Sequence, residues 1–143
     1  MNMIGLLADF TNKNQFQYAT KIVDLVKSHF TNDVVVFYEN ICKTDRPPAT
    51  AVMSIDNVQY FNGTLIHLSM SQLDNMLKVP SSIKHVYVPD YDHRFDILKL
   101  LFLSNIQIAC VQQNMYHNLS RLIGNNKEIH YYDSLHKFLE DIA

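Results

Sequence analysis

The sequence predicts one α/β domain whose mainly parallel, doubly wound sheet is covered by helices on both faces, and three observations carry that expectation. Short apolar runs rich in β-branched residues recur along the chain, as strands buried on both faces require. Between them lie segments whose apolar residues repeat every three or four positions, the pattern of a helix with one buried stripe. The third is length: 143 residues suffice for a single core, spanning 1–143, and not for two α/β lobes.

The first run, Ile4-Gly5-Leu6-Leu7-Ala8-Asp9, reads as a buried strand. Phe16, Ala19, Ile22, Val23, Val26 and Phe30 then place one stripe on a helix from about Asn14 to Phe30. Val34 to Tyr38 is the second strand, so the opening residues form a strand-helix-strand unit with a right-handed crossover. The polar stretch from Glu39 to Thr50 contains Pro47-Pro48, which lack amide protons and break regular structure. Ala51-Val52-Met53 reads as a brief extended piece. Ser54 or Asp56 caps a short helical turn through Val58, Tyr60 and Phe61, which Asn62-Gly63 ends.

Beyond it the alternation is regular. Strands are expected at Thr64 to Ser69, His85 to Pro89, Gln107 to Val111 and Glu128 to Tyr132. Helices are expected at Ser71 to Lys78, Phe95 to Leu103 and Met115 to Ile123, the last stopped by Gly124. A final helix follows Ser134 and carries Leu135, Phe138, Leu139 and Ile142 on one face. Six strands alternating with helices give a Rossmann-like three-layer α/β/α domain, for which 3-2-1-4-5-6 is the simplest strand order.

Composition narrows the partners. A formal charge of −2 argues against broad attraction to phosphate backbones, so nucleic acid is not an expected partner. No apolar run approaches the ~20 residues of a membrane span and no secretory signal is evident, which predicts a cytoplasmic protein with no membrane contact. Cys42 and Cys110 are then expected to be reduced thiols.

In an open parallel sheet ligands bind beyond the carboxyl ends of the strands, where the strand order reverses. That rule selects Asp9 to Lys13, Ser69-Met70-Ser71, Asp90 to Arg94 and Gln112-Gln113-Asn114. From these, the expected ligand-binding residues are Asp9, Thr11, Asn12, Lys13, Asp90, Asp92, His93, Arg94 and Gln113. The first turn lacks the glycines that let a backbone approach a pyrophosphate, so no classical nucleotide cofactor is expected, nor any other. Asp90 and Asp92, two apart at a strand end, are the weak candidates for holding a divalent cation; their alternative role is to start the following helix. His93 could act as an acid or base beside them and Arg94 could pair with a phosphate. No nucleophile elbow and no zinc-ligand spacing is present among the seven histidines.

Tyr60-Phe61-Asn62-Gly63-Thr64-Leu65-Ile66, the stretch Ser82 to Asp90 and Ile108-Ala109-Cys110-Val111 resemble small glycosyltransferase-like proteins of tailed phages, which are similar to the N-terminal Rossmann-like half of the GT-B fold. The resemblance implies a sugar or nucleotide-sugar ligand. It also implies a second lobe carrying most donor contacts, which the chain has no room for, so catalysis by this domain alone is not expected. Where a Trp-Asp-Xaa-Glu-Trp-like segment would stand, the chain has Pro89-Asp90-Tyr91-Asp92-His93. The competing expectation is an interaction module that self-associates or binds a partner protein through Phe95 to Leu103, a segment apolar nearly all round.

Overall fold

The computed structural model describes residues 3–38, 50–71, 83–92, 96–102 and 106–143. These form one parallel sheet of seven strands: β1 (Ile4–Ala8), β2 (Val34–Tyr38), β3 (Ala51–Ser54), β4 (Thr64–His67), β5 (Lys84–Tyr87), β6 (Ile106–Cys110) and β7 (Ile129–Tyr131). The spatial order is β3-β2-β1-β4-β5-β6-β7, with every neighbouring pair parallel. The doubly wound α/β architecture is therefore present, with one strand more than the six expected. The extra strand is the brief piece at Ala51, which pairs with β2 through Val35↔Ala51 to Tyr38↔Ser54 and becomes the outer strand.

Helices cover both faces. α1 (Lys13–His29) and α4 (Leu135–Ile142) lie on one, against Ile4, Leu6, Val36, Ile66 and Val86. α2 (Ile97–Phe102) and α3 (Gln113–Ile123) lie on the other, against Tyr87, Ile106, Ile108 and Cys110. On that second face a 3-10 turn, Ile55–Tyr60, brings Val58 and the following Phe61 onto Leu7, Phe37 and Leu65. Each apolar side chain buried in this way contributes about 1.5–3 kcal/mol before the cost of ordering it. Ser134 caps α4 as its position suggested, accepting from Lys137 N at 3.2 Å. The expected helix from Ser71 to Lys78 falls on 72–78, outside the described residues, as do Cys42 and the proline pair. Among the described residues, no helix is long and apolar enough to cross a membrane.

The second face also buries a pair of imidazoles. His67 Nε2 and His85 Nδ1 are 2.9 Å apart, and His67 Nδ1 has no hydrogen-bond partner among the described residues. The less costly tautomer has His67 donating from Nε2, which leaves an unpaired lone pair at Nδ1 instead of an unpaired N–H. Burial, helped by His85, holds the His67 pKa down at about 3 against an ordinary 6.5, and burial lowers that of His85 as well. The unfolded chain takes up the proton first, so the contribution is complete above about pH 6.5 and is lost as pH falls toward 3. Between pH 7 and pH 5, His67 should remove about 2 kcal/mol of stability. Urea unfolding of the native chain and of His67→Leu at both pH values checks this, and an equal acid loss in the two proteins would refute it.

Candidate functional site at the carboxyl ends of β1, β4 and β5

Strand order reverses between β1 and β4, the place where an open parallel sheet forms a crevice. A cleft of about 320 Å³ lies there, lined by Asp9, Thr11, Asn12 and Gln15 from the β1–α1 connection, Ser69 and Ser71 after β4, and Asp92 after β5. The tight first turn is held by its own side chains. Asp9 Oδ1 accepts from Thr11 N at 3.0 Å and from Thr11 Oγ1 at 2.6 Å. Asn12 is the N-cap of α1, and its Oδ1 accepts from the amides of Asn14 and Gln15. Capping residues at a strand-to-helix turn thus also become the wall of a cleft.

Gln15 closes the turn from the helix side. It is only 2% exposed, and its Oε1 accepts from Asp9 N at 3.0 Å. An N–H needs an acceptor, which orients the amide and leaves Nε2 as the end without a partner among the described residues. Across the cleft, Ser69 and Ser71 share a hydroxyl hydrogen bond of 2.9 Å. Asp92 is buried, and its Oδ2 accepts from Met70 N at 2.8 Å and from Tyr87 Oη at 2.7 Å, which ties the end of β5 to the turn after β4. Burial, and after it this contact, raise the Tyr87 hydroxyl pKa far above its ordinary value.

Of the residues expected to bind a ligand, Asp9, Thr11, Asn12 and Asp92 come together here. Lys13 and Gln113 are exposed first residues of α1 and α3 and do not line the cleft. His93 and Arg94 lie outside the described residues. Asp90 is turned the other way, toward β6. Its Oδ1 accepts from Gln112 N at 2.9 Å and its Oδ2 from Val111 N at 3.2 Å. Gln112 makes no side-chain cap of its own, so Asp90 supplies the negative group at the start of α3. Burial pushes the Asp90 carboxyl above its ordinary value, against the pull of those two amides.

Asp90 and Asp92 therefore serve backbone groups on opposite sides of β5 and do not converge as a cation-binding pair. Among the described residues, no group of three or more His, Cys, Asp or Glu side chains is gathered as a metal site would need. The chain matches no family model, no curated protein and no solved structure. The functional reading accordingly rests on the site itself.

Two further features frame that site. Tyr18, on α1, meets Tyr91 with ring centres 4.7 Å apart and planes tilted by 59°, and its buried hydroxyl has no partner among the described residues. Burial and the neighbouring Asp90 carboxylate raise its pKa. Cys110, at the end of β6, is a buried free thiol whose pKa burial pushes up to about 12, which makes it a poor nucleophile. A larger depression of about 610 Å³ lies toward the amino ends of β2 and β3, walled mainly by Phe30, Val35, Phe37, Met53, Tyr60 and Phe61. It is the bigger space and has polar residues of its own, Lys27, Asn32, Asp33, Thr50 and Asn57, at a mainly apolar wall; the smaller one is polar throughout its described lining and sits at the strand-order reversal.

Sequence reasoning missed Gln15. Counting apolar residues alone put Phe16 and Phe30 in the stripe, whereas the buried set is Gln15, Tyr18, Ala19, Ile22, Val23 and Val26. The available signal was phase: Gln15, Ala19, Ile22 and Val26 share one helical face, so a polar residue occupies a buried position there.

Proposed function

We propose that this domain binds a sugar, free or as part of a nucleotide-sugar, in the cleft between β1 and β4, and that any transfer of that sugar requires a partner lobe. The observation that carries this reading is the cleft's composition: hydroxyl, amide and carboxylate side chains, with no aliphatic or aromatic residue among its described lining residues. Its 320 Å³ is at the low end of the roughly 300–1,000 Å³ typical of ligand pockets, so it suits a single sugar ring and not a whole dinucleotide. Calorimetric titration with glucose, galactose, mannose, N-acetylglucosamine, UDP-glucose and GDP-mannose tests it. Saturable heat with at least one is expected; no heat and no thermal shift at millimolar concentrations of all six would overturn it.

The competing reading, self-association through Phe95 to Leu103, has less in its favour. On α2, Leu100 is fully buried, and Ile97 and Leu101 pack against the core. Leu98 is the one large apolar side chain exposed on this helix among the described residues, too little for an adhesive patch. Phe95 and Leu103 lie outside the described residues.

A further inference from the structure

The sugar reading leaves open whether the cleft recognises hydroxyl groups or phosphate, and the hydrogen bonds of the first turn separate the two. A phosphate at a helix start needs free backbone amides. Here the amides of Thr11, Asn14 and Gln15 donate to Asp9 and Asn12 side chains, while Asn12 N and Phe16 N donate to the carbonyls of Asp9 and Asn12. Asp9 thus occupies the place an incoming anion would take. The cleft also carries a second carboxylate, Asp92, and no Lys, Arg or His among its described lining residues. An anion placed there would stand beside the carboxylate of Asp9, which disfavours it.

What the turn leaves unused is a different set of groups. Asp9 Oδ2 accepts no hydrogen bond from the described residues. Gln15 Nε2 donates none, although the residue is 2% exposed and lines the cleft. The Asp9 N–H that grips Gln15 Oε1 joins these groups in one unit, so an acceptor and a donor face the same small space. A hydroxyl both donates and accepts, and two adjacent hydroxyls present that combination in one rigid ligand. Held at Oε1 by the Asp9 amide, Gln15 offers its Nε2 in one orientation, so a ligand that carries an acceptor there is favoured over one that does not.

We infer that the cleft is a reader of uncharged vicinal diols, in which Asp9 accepts from one hydroxyl, Gln15 donates to its neighbour, and phosphate-bearing sugars are excluded. Gln15 is the specificity-determining residue, set in place by the backbone of Asp9. This rests on the sugar-binding reading above and narrows it to the sugar's own hydroxyls.

The test is calorimetric titration of the full chain with glucose, galactose and mannose, with the 1-phosphate of each, and with inorganic phosphate. The same series is run on Gln15→Glu, which keeps an acceptor for Asp9 N while removing the donor, and on Asp9→Asn, which keeps an acceptor for Thr11. Thermal unfolding verifies that both variants are folded. At least one neutral sugar is expected to bind, its 1-phosphate at least tenfold more weakly, and inorganic phosphate not at all, with each variant weakening the neutral sugar at least tenfold. A sugar phosphate bound as tightly as its parent sugar, or unchanged affinity in Gln15→Glu, overturns the diol inference and leaves sugar binding standing. Absence of binding by every neutral sugar overturns the diol inference, and the sugar reading falls with it only when N-acetylglucosamine, UDP-glucose and GDP-mannose give no heat either.

Discussion

Gly63→Ala should destabilise the domain by more than about 3 kcal/mol, the largest effect expected of any single methyl group added to this chain. Gly63 stands just before β4 at φ +148, a region that L side chains rarely adopt. A Cβ there would overlap the carbonyl oxygen of Met3, which is backbone and cannot swing aside. That carbonyl accepts from Thr64 N at 3.0 Å, and the Gly63 carbonyl accepts from Lys84 N at 3.0 Å. Moving either peptide would disturb the entry of β4 between β1 and β5, at the centre of the sheet. Urea denaturation followed by circular dichroism measures the loss, and a variant with an unchanged midpoint would show that the close approach is not needed. Gly5→Ala is a useful contrast, because its Cβ meets side-chain atoms of Leu65 and Phe61 at 2.9 Å, which have rotamers to explore.

Asp92→Ala is the second large effect, expected at about 3 kcal/mol. Its Oδ2 satisfies Met70 N and Tyr87 Oη together, and both of those residues are buried. Each orphaned buried donor costs about 1–3 kcal/mol. Tyr87→Phe removes the hydroxyl along with the need for its partner, so the double variant should lose less than the sum of the two single ones. Strict additivity in that cycle, or a cost for Asp92→Ala below about 1 kcal/mol, would mean that the carboxylate is not the tie between β4 and β5. Asp92 also walls the cleft, so sugar affinity in its variants has to be read beside their stability.

The sheet was legible in the sequence wherever a strand is buried on both faces. Ile4 to Ala8 and Val34 to Tyr38 announce themselves as unbroken apolar runs because no side of them meets water. Ala51–Ser54 shows only as a brief extended piece and not as a full strand of the sheet, since an outer strand of alternating exposed and partly buried residues lacks the unbroken apolar run. The site was legible to the degree that topology dictates it: the ends of β1, β4 and β5 could be located, and with them Asp9, Thr11, Asn12 and Asp92. What could not be read was direction. Asp90 and Asp92 stand two apart in the chain, yet they cap α3 and brace the turn after β4, respectively, because the 3-10 turn Pro89–Tyr91 lies between the ends of two different neighbours. Gln15 was invisible for the opposite reason, as a polar residue buried on a helix face where apolar counting expects none.

A sheet in which all neighbours run the same way has no hairpin from which to grow. Ile4 must find Val34 on one side and Thr64 on the other, and each meeting closes a long stretch of chain before any ladder hydrogen bond forms. The time this domain takes to assemble will therefore be governed by the entropy of bringing remote segments together.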